Sequence, residues 1–172
     1  MFHSLNFKKW IDENRHLLKP PVGNKVVWKD REFIVMAVGG PNARTDFHVN
    51  QSEEFFYQLE GSMILKIMTP AGAEDVRISA GDIFLLPPNT PHSPQREAGS
   101  VGLVIERKRR EGEIDGLQWY CEKCNTKLYE EFFKLTNIET QFPAVFERYY
   151  ASSHVECTKC AHVNGRYWSK ES

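Results

Sequence analysis

Short β-rich runs separated by turn residues occupy the chain from Val26 to Glu106, and this pattern limits the folds open to it. Turn signals such as Glu60-Gly61 and Ala80-Gly81-Asp82 separate the runs. Many short strands at this spacing form a sandwich or a barrel, because each strand must bury one face against another sheet. The predicted strands are Val26–Trp28, Phe33–Val38, Phe47–Val49, Glu54–Leu59, Ser62–Met68, Val76–Ile78, Ile83–Leu86 and Val101–Glu106.

Helices are predicted on both sides of this β-rich region. Residues 6–18 carry apolar side chains at helical spacing, with Asn6 as the N-cap. A second helix is predicted near Tyr129 to Leu135. We therefore expect a mainly β chain in two parts. Residues 1–116 would form the barrel with its N-terminal helix, and residues 117–172 a C-terminal extension packed on the same domain.

The composition is that of an ordinary globular chain and excludes several classes of function. The 172 residues are 41% hydrophobic and 26% charged, which suits one well-buried domain with a small appendage. A net charge of -1 gives no general attraction to nucleic acid or to an anionic membrane. The one basic run, residues 107–110, is predicted to be a solvated loop. Neither a membrane-spanning run nor a signal peptide is indicated, so a cytoplasmic location is expected.

Two separated stretches carry side chains that suit one metal ion. The first, residues 40–61, contains His48 and Glu54, and the second, residues 81–96, contains His92. Two imidazoles and one carboxylate form the three-ligand face typical of non-haem Fe(II), which leaves coordination positions open for substrate and dioxygen. The sequence therefore predicts a catalytic Fe(II) site formed by these three side chains.

These stretches resemble the two short motifs of the cupin superfamily. Three positions depart from the motifs, because Asp46 replaces the usual first histidine, Asn89 a glycine and Arg96 the final asparagine. The loss of one histidine leaves three ligands, which favours dioxygenases over storage or isomerase cupins. The resemblance implies a double-stranded β-helix, which is a jelly-roll barrel. The matching residues are Gly40, His48, Glu54 and Gly61 in the first motif and Gly81, Pro87 and His92 in the second.

A wider set of residues resembles the 3-hydroxyanthranilate 3,4-dioxygenase family, in the single-domain form with a cysteine tail that occurs in bacteria and fungi. The resemblance implies that Arg44 and Arg96 bind the substrate carboxylate and that Glu106 faces the substrate. It also implies a homodimer and a mononuclear tetra-cysteine iron site away from the active site. It is carried by two cysteine pairs, Cys121 with Cys124 and Cys157 with Cys160, and by residues 18–22, 39–48, 54–58, 86–96 and 104–106.

The family resemblance implies a specific reaction. An Fe(II)-dependent, extradiol-type cleavage of 3-hydroxyanthranilate would insert both atoms of O2 and give 2-amino-3-carboxymuconate semialdehyde, which closes to quinolinate, a precursor of NAD. Paired arginines can hold a ring carboxylate through bidentate hydrogen bonds, although surface positions are the alternative for Arg44 and Arg96. Glu106 ends an apolar run and lies either at a solvent-exposed rim or inside the barrel, where a substrate amine or phenol would be its partner.

Other functions stay open at this point. Another ring-cleaving cupin, acting on a salicylate-like or gentisate-like acid, would use the same metal site. A non-catalytic cupin would bind a small ligand without oxygen uptake. An electron-transfer protein would use the cysteine site as a reversible redox centre.

Four cysteines fall in two closely spaced pairs, Cys121-Glu-Lys-Cys124 and Cys157-Thr-Lys-Cys160. In a reducing cytosol such pairs indicate a tetrahedral thiolate site for Fe or Zn rather than disulfides. Asn125 follows the first pair where the backbone often turns left-handed, a conformation that asparagine tolerates. Reduced cysteines packed as small hydrophobes are the alternative. His154 and His162 flank the second pair and are predicted to be surface residues rather than ligands.

Overall fold

The computed structural model describes residues 3–19, 23–28, 31–42 and 44–166. The helices in these ranges are α1 (Phe7–Asn14) and α2 (Ile138–Tyr150), with short 3₁₀ helices at Arg15–Leu17 and Ser153–Val155. None of the described helices is long and apolar enough to cross a membrane. The strands are β1 (Asn24–Trp28), β2 (Phe33–Gly39), β3 (Asp46–Val49), β4 (Glu54–Glu60), β5 (Ser62–Thr69), β6 (Gly72–Ser79), β7 (Ile83–Leu86), β8 (His92–Arg96), β9 (Val101–Arg107), β10 (Asp115–Tyr120) and β11 (Lys127–Phe133).

The strands form two antiparallel sheets. One sheet has the order β1-β2-β9-β4-β7, and the other has the order β11-β10-β3-β8-β5-β6. Apolar side chains fill the space between the sheets, because strand alternation places every second side chain on the inner face. The predicted mainly β, jelly-roll fold is therefore confirmed. Its buried core consists of Phe56, Met63, Leu65, Ile67, Ile78, Leu86 and Val104.

All eight predicted strands are present, but the sequence pattern did not indicate β8 or β10. The sequence of β8, His-Ser-Pro-Gln-Arg, contains no alternating apolar residues. This strand is instead held between β3 and β5, where His92 pairs with both His48 and Ile67. Its existence therefore depends on neighbours that are distant in sequence.

The helix predicted near Tyr129 to Leu135 is wrong, because most of this segment lies in strand β11, which ends at Phe133. Apolar residues recur there at helical spacing, yet Tyr129 pairs with Trp119 of β10 and their rings meet edge to face at 5.7 Å. Tertiary pairing thus outweighs the local pattern. The helix of this region is α2, which sequence reasoning missed because Pro143 lies inside it.

The N-terminal helix begins as predicted, since the Asn6 side chain accepts a hydrogen bond from the Lys9 backbone nitrogen at 3.0 Å. Ile11 of α1 is buried and packs in a cluster with Ala37 and Val101 of the five-stranded sheet. This packing places α1 over the outer face of that sheet.

The division of the chain after residue 116 stays a prediction. Strand β10 spans this point and forms ladders with β3 on one side and β11 on the other. The rings of Trp119 on β10 and Tyr149 on α2 stack at 4.4 Å. The C-terminal segment is thus joined to the six-stranded sheet by both backbone and side-chain contacts.

Candidate metal centre and active site

The three predicted metal ligands come together inside the barrel. His48 on β3 pairs directly with His92 at the start of β8, and Glu54 begins β4 in the other sheet. All three side chains are buried. His48 Nδ1 lies 3.7 Å from Glu54 Oε1, and His92 Nε2 lies 3.4 Å from Glu54 Oε2. One donor atom from each residue lies within 4.8 Å of the others, so the cluster could hold a metal ion.

Hydrogen bonds on the outer side of each imidazole orient the two histidines. His48 Nε2 lies 2.7 Å from Asp115 Oδ2, and His92 Nδ1 lies 3.0 Å from the carbonyl oxygen of Thr90. A neutral imidazole carries one N–H, so donation to these acceptors leaves a lone pair on the nitrogen that faces Glu54. Metal-binding histidines usually have such support behind them. The donor set therefore fits a metal ion.

Glu54 is ionised in this arrangement. Burial opposes the charge on its carboxylate, but in the metal-free site the positive charge that His92 and His48 carry when protonated outweighs that effect and lowers the pKa of Glu54 to about 2. Asn50 also donates from Nδ2 to Glu54 Oε1 at 2.6 Å. Because a carboxylate must be deprotonated to bind a metal, Glu54 meets this requirement at neutral pH.

A partly buried arginine that the sequence analysis missed lies behind the site. Arg109 donates from Nε to Asp115 Oδ1 at 2.9 Å and from Nη1 to Glu106 Oε2 at 2.6 Å. Its side chain is only 13% exposed, so the prediction that the basic run is a solvated loop is wrong for this residue. The run also pairs elsewhere, since Arg107 donates to Glu113 at 2.7 Å. Each arginine precedes its acidic partner by six residues, which is the signal that the sequence contained.

Glu106 points into the barrel and does not lie at a solvent-exposed rim. It is buried and stands directly opposite Glu54 in the pairing of β9 with β4. Its Oε2 accepts hydrogen bonds from Asn50 at 3.1 Å and from Arg109 at 2.6 Å. Burial and the nearby Glu54 carboxylate raise the pKa of Glu106 above its ordinary value. The site thus contains a carboxylate that can accept a proton.

Arg96 is a buried cation that forms no ion pair with the described residues. It lies four residues after His92 on β8, and it is only 4% exposed. Its Nη1 donates to Gln58 Oε1 at 3.4 Å, while its Nε has no partner. Burial lowers the pKa of Arg96 to about 10, so the group remains charged at neutral pH. Gly102 makes room for the guanidinium, because a Cβ there would lie 2.8 Å from Arg96 Nη1.

Arg44, in contrast, has a carboxylate partner. Its Nε donates to Asp46 Oδ1 at 3.0 Å, and its Nη2 donates to Asp46 Oδ2. Asp46 is buried and occupies the position of the missing cupin histidine. The Arg44 guanidinium also lies 5.8 Å from the ring centroid of Phe142, which is itself 5.4 Å from the His48 ring. The structure therefore brings Arg44 to the edge of the site with part of its guanidinium already engaged.

The four cysteines form a second cluster, as the paired spacing predicts. Their sulfur atoms all lie within 4.8 Å of one another, with Cys121 Sγ 3.5 Å from Cys160 Sγ and Cys124 Sγ 3.6 Å from Cys157 Sγ. The prediction of a left-handed Asn125 is confirmed by its φ of 58°, and Ala161 holds the equivalent place after the second pair with a φ of 55°. The cluster could therefore hold a metal ion in tetrahedral coordination.

The two flanking histidines lie outside this cluster. His154 is exposed and its ring lies 5.6 Å from that of Tyr129. His162 is half-buried, with its Nε2 3.5 Å from Glu122 Oε2. The cysteines alone form the second candidate metal site among the described residues.

Two facing antiparallel sheets around a cluster of two histidines and one carboxylate define a cupin fold with one candidate mononuclear metal site inside it. A solved cupin-2 domain protein from Shewanella frigidimarina NCIMB 400 is 15% identical, with a TM-score of 0.49 and coverage of 60% of this chain and 94% of that chain.

The chain belongs to the 3-hydroxyanthranilic acid dioxygenase family, whose family model matches residues 1–150. A 3-hydroxyanthranilate 3,4-dioxygenase from Xanthomonas euvesicatoria pv. vesicatoria (strain 85-10) is 58% identical over 161 residues, which cover 93% of this chain and 91% of that protein. Another, from Jannaschia sp. (strain CCS1), is 52% identical over 163 residues, which cover 94% of this chain and 91% of that protein. The family predicted from the sequence motifs is confirmed.

Proposed function

We propose that this protein is an Fe(II)-dependent extradiol-type dioxygenase that converts 3-hydroxyanthranilate and O2 to 2-amino-3-carboxymuconate semialdehyde, the precursor of quinolinate. One observation carries the substrate assignment, which is the buried Arg96 guanidinium that forms no ion pair with the described residues. A buried cation is costly unless an anion joins it, and the substrate carboxylate is such an anion. Membership of the family supports the same reaction.

Fe(II) is proposed to bind at His48, Glu54 and His92. Two imidazole nitrogens and one carboxylate oxygen suit this ion. When bound, the ion would supply open coordination positions for the o-aminophenol and dioxygen. The chain contributes the orientation of the two imidazoles, through Asp115 and the Thr90 carbonyl group, and the ionised carboxylate of Glu54.

Arg96 and Arg44 are proposed to bind the substrate carboxylate. The planar fork of Arg96 can donate two parallel hydrogen bonds to the two carboxylate oxygens. Arg44 uses Nε and Nη2 for Asp46, so Nη1 is the donor that it can extend to the substrate. The four-residue separation of His92 and Arg96 corresponds to about 13 Å of strand, which leaves room for an aromatic ring between the cation and the metal cluster.

Glu106 is proposed to accept a proton from the substrate hydroxyl or to bind its amine. The hydrogen bonds from Asn50 and Arg109 both end on Oε2, which leaves Oε1 for the substrate. Because burial and Glu54 raise the pKa of Glu106, this group is a stronger base than an exposed glutamate.

The four cysteines are proposed to hold a structural Fe or Zn ion. All four are free thiols, and two of them, Cys121 and Cys157, are buried. A metal ion there would tie together the segments on either side of α2, which carries Phe142 against the His48 ring. Free metal-binding thiols require a reducing compartment, which supports a cytoplasmic location.

A homodimer is proposed to form through the outer face of the five-stranded sheet. Apolar side chains on this face stay exposed beside the part that α1 covers: Trp28 by 49%, Phe33 by 58%, Ile83 by 65% and Leu85 by 54%. A second copy offers the same apolar face, so a two-fold interface would cover both patches at once. Leu85→Lys should convert the dimer to a monomer in sedimentation velocity, and a monomeric wild type would refute this interface.

Oxygen uptake by Fe(II)-loaded protein with 3-hydroxyanthranilate tests the proposed reaction. We expect the wild type to consume O2 as the substrate disappears, and His92→Ala to lose iron and turnover while its circular dichroism spectrum stays unchanged. Salicylate and gentisate in the same assay test for the related ring-cleaving cupins. No uptake with any of these acids would indicate a non-catalytic binding protein, and turnover by metal-depleted His92→Ala would refute the metal assignment.

A further inference from the structure

A chain of buried and partly buried hydrogen bonds joins the histidine of the candidate metal cluster on β3 to the carboxylate proposed to face the substrate. His48 Nε2 lies 2.7 Å from Asp115 Oδ2, and Asp115 Oδ1 accepts from Arg109 Nε at 2.9 Å. Arg109 then donates from Nη1 to Glu106 Oε2 at 2.6 Å. One guanidinium therefore contacts both the residue that orients His48 and the proposed proton acceptor.

A second path joins the same carboxylate to another predicted ligand. The Asn50 side-chain nitrogen donates to Glu106 Oε2 at 3.1 Å and to Glu54 Oε1 at 2.6 Å. His48 Nδ1 lies 3.7 Å from that same oxygen of Glu54. These contacts form a closed ring of side chains on the metal-facing side of the barrel. Arg109 is the arginine in this ring.

The position of Arg109 in the fold explains why one side chain can contact both Asp115 and Glu106. It lies in the loop between Glu106, near the end of β9, and Asp115, at the start of β10. These strands belong to different sheets, and each sheet supplies part of the candidate metal cluster. The loop arginine thus ties the sheet that carries Glu54 to the sheet that carries His48.

We propose that Arg109 and Asp115 are positioning residues that hold His48 and Glu106 in a fixed mutual geometry. This inference rests on the proposed function, in which His48 binds the metal and Glu106 faces the substrate. The planar guanidinium meets two carboxylates in different directions, which the single ammonium of a lysine cannot reproduce. Asp115 is fully buried, so its carboxylate remains where Arg109 and His48 hold it.

A neighbouring ion pair provides a matched control. Arg107 donates from Nη1 to Glu113 Oε2 at 2.7 Å and belongs to the same basic run as Arg109. Its side chain is 21% exposed, and among the described residues it donates hydrogen bonds to Glu113 and to the Lys108 carbonyl oxygen, not to Asp115 or Glu106. Arg107→Ala therefore removes a similar pair without disturbing the contacts to the candidate metal site.

The test measures Co(II) affinity at the histidine–carboxylate site by competition with a chelator, in wild type, Asp115→Asn, Arg109→Ala, Arg109→Lys and Arg107→Ala. Co(II) bound to thiolates absorbs far more strongly than Co(II) bound to nitrogen and oxygen, so the cysteine site is followed separately. We expect Asp115→Asn and Arg109→Ala to bind Co(II) about 10- to 100-fold more weakly at the histidine–carboxylate site, as for loss of other outer-shell partners of ligand histidines. Arg109→Lys should recover only part of this loss, and Arg107→Ala should bind like the wild type.

Three outcomes separate the explanations. Equal Co(II) affinity in all five proteins would overturn the inference. Failure of the wild type itself to bind Co(II) outside the cysteine site would instead refute the proposed function. Unchanged thiolate bands and an unchanged circular dichroism spectrum show that a variant is folded. If Asp115→Asn is not folded by this criterion, Arg109→Lys provides the test. Wild-type Co(II) affinity in Arg109→Lys would contradict a bridging guanidinium.

Discussion

Replacement of Arg96 by methionine should stabilise the substrate-free protein and impair substrate use. Arg96 is only 4% exposed, and burial lowers its pKa from the ordinary value of an arginine to about 10. A pKa change of this size corresponds to about 3 kcal/mol against the charged form in the folded state. Because the folded-state pKa lies below the unfolded value, this cost is fully present below about pH 10 and disappears as the pH rises from there through the ordinary pKa of arginine.

Methionine keeps much of the aliphatic volume of Arg96 and carries no charge. It also loses the hydrogen bond to Gln58, whose length of 3.4 Å indicates a weak contribution. We therefore expect a net gain of about 1 to 3 kcal/mol in the free energy of unfolding. Truncation of one partner in the proposed substrate ion pair should lower kcat/KM for 3-hydroxyanthranilate by about 2 to 5 kcal/mol, or roughly 30- to 5,000-fold.

Denaturant unfolding and oxygen-uptake kinetics measure the two halves of this prediction. 2-Aminophenol lacks the carboxylate, so its kcat/KM should change little in Arg96→Met. Arg96→Lys is the charge-retaining control and should keep part of the preference for the carboxylated substrate. Equal losses for both substrates would mean that Arg96 shapes the pocket. A clear loss of stability in Arg96→Met would refute the conclusion that its charge is uncompensated.

Three further substitutions test other parts of the structure. Cys124→Ser should release the metal of the cysteine site and lower the Tm while some turnover remains, and unchanged metal content would contradict a shared site. Gly102→Ala would place a Cβ 2.8 Å from Arg96 Nη1, so KM should rise more for 3-hydroxyanthranilate than for 2-aminophenol. Ala161→Gly should raise the unfolding free energy by about 0.5 to 1 kcal/mol, because glycine adopts a left-handed φ at no steric cost. A less stable Ala161→Gly in urea would contradict this reasoning.

The sequence alone determined the features whose chemistry depends on residue type at short spacing. The candidate metal cluster consists of two imidazoles and a carboxylate, and His48, Glu54 and His92 lie in motifs that show these residue types. The cysteine pairs are equally local, because each C-x-x-C segment and the left-handed residue that follows form one turn. Alternation and turn residues were also sufficient to find eight strands, since each of those strands has its own apolar pattern.

Only the tertiary structure decided which side chains have partners. The same role is predicted for Arg44 and Arg96 from the sequence. In the structure Arg44 is paired with Asp46, whereas Arg96 is buried without an ion pair among the described residues. In the sequence, Arg109 is one residue of a basic run. In the structure, the chain turns back into β10 and places Asp115 beside Arg109. The local pattern of β11 predicts a helix, but the segment forms a strand because it pairs with β10. Pairing and burial arise from residues that are distant in sequence, so local patterns do not contain them.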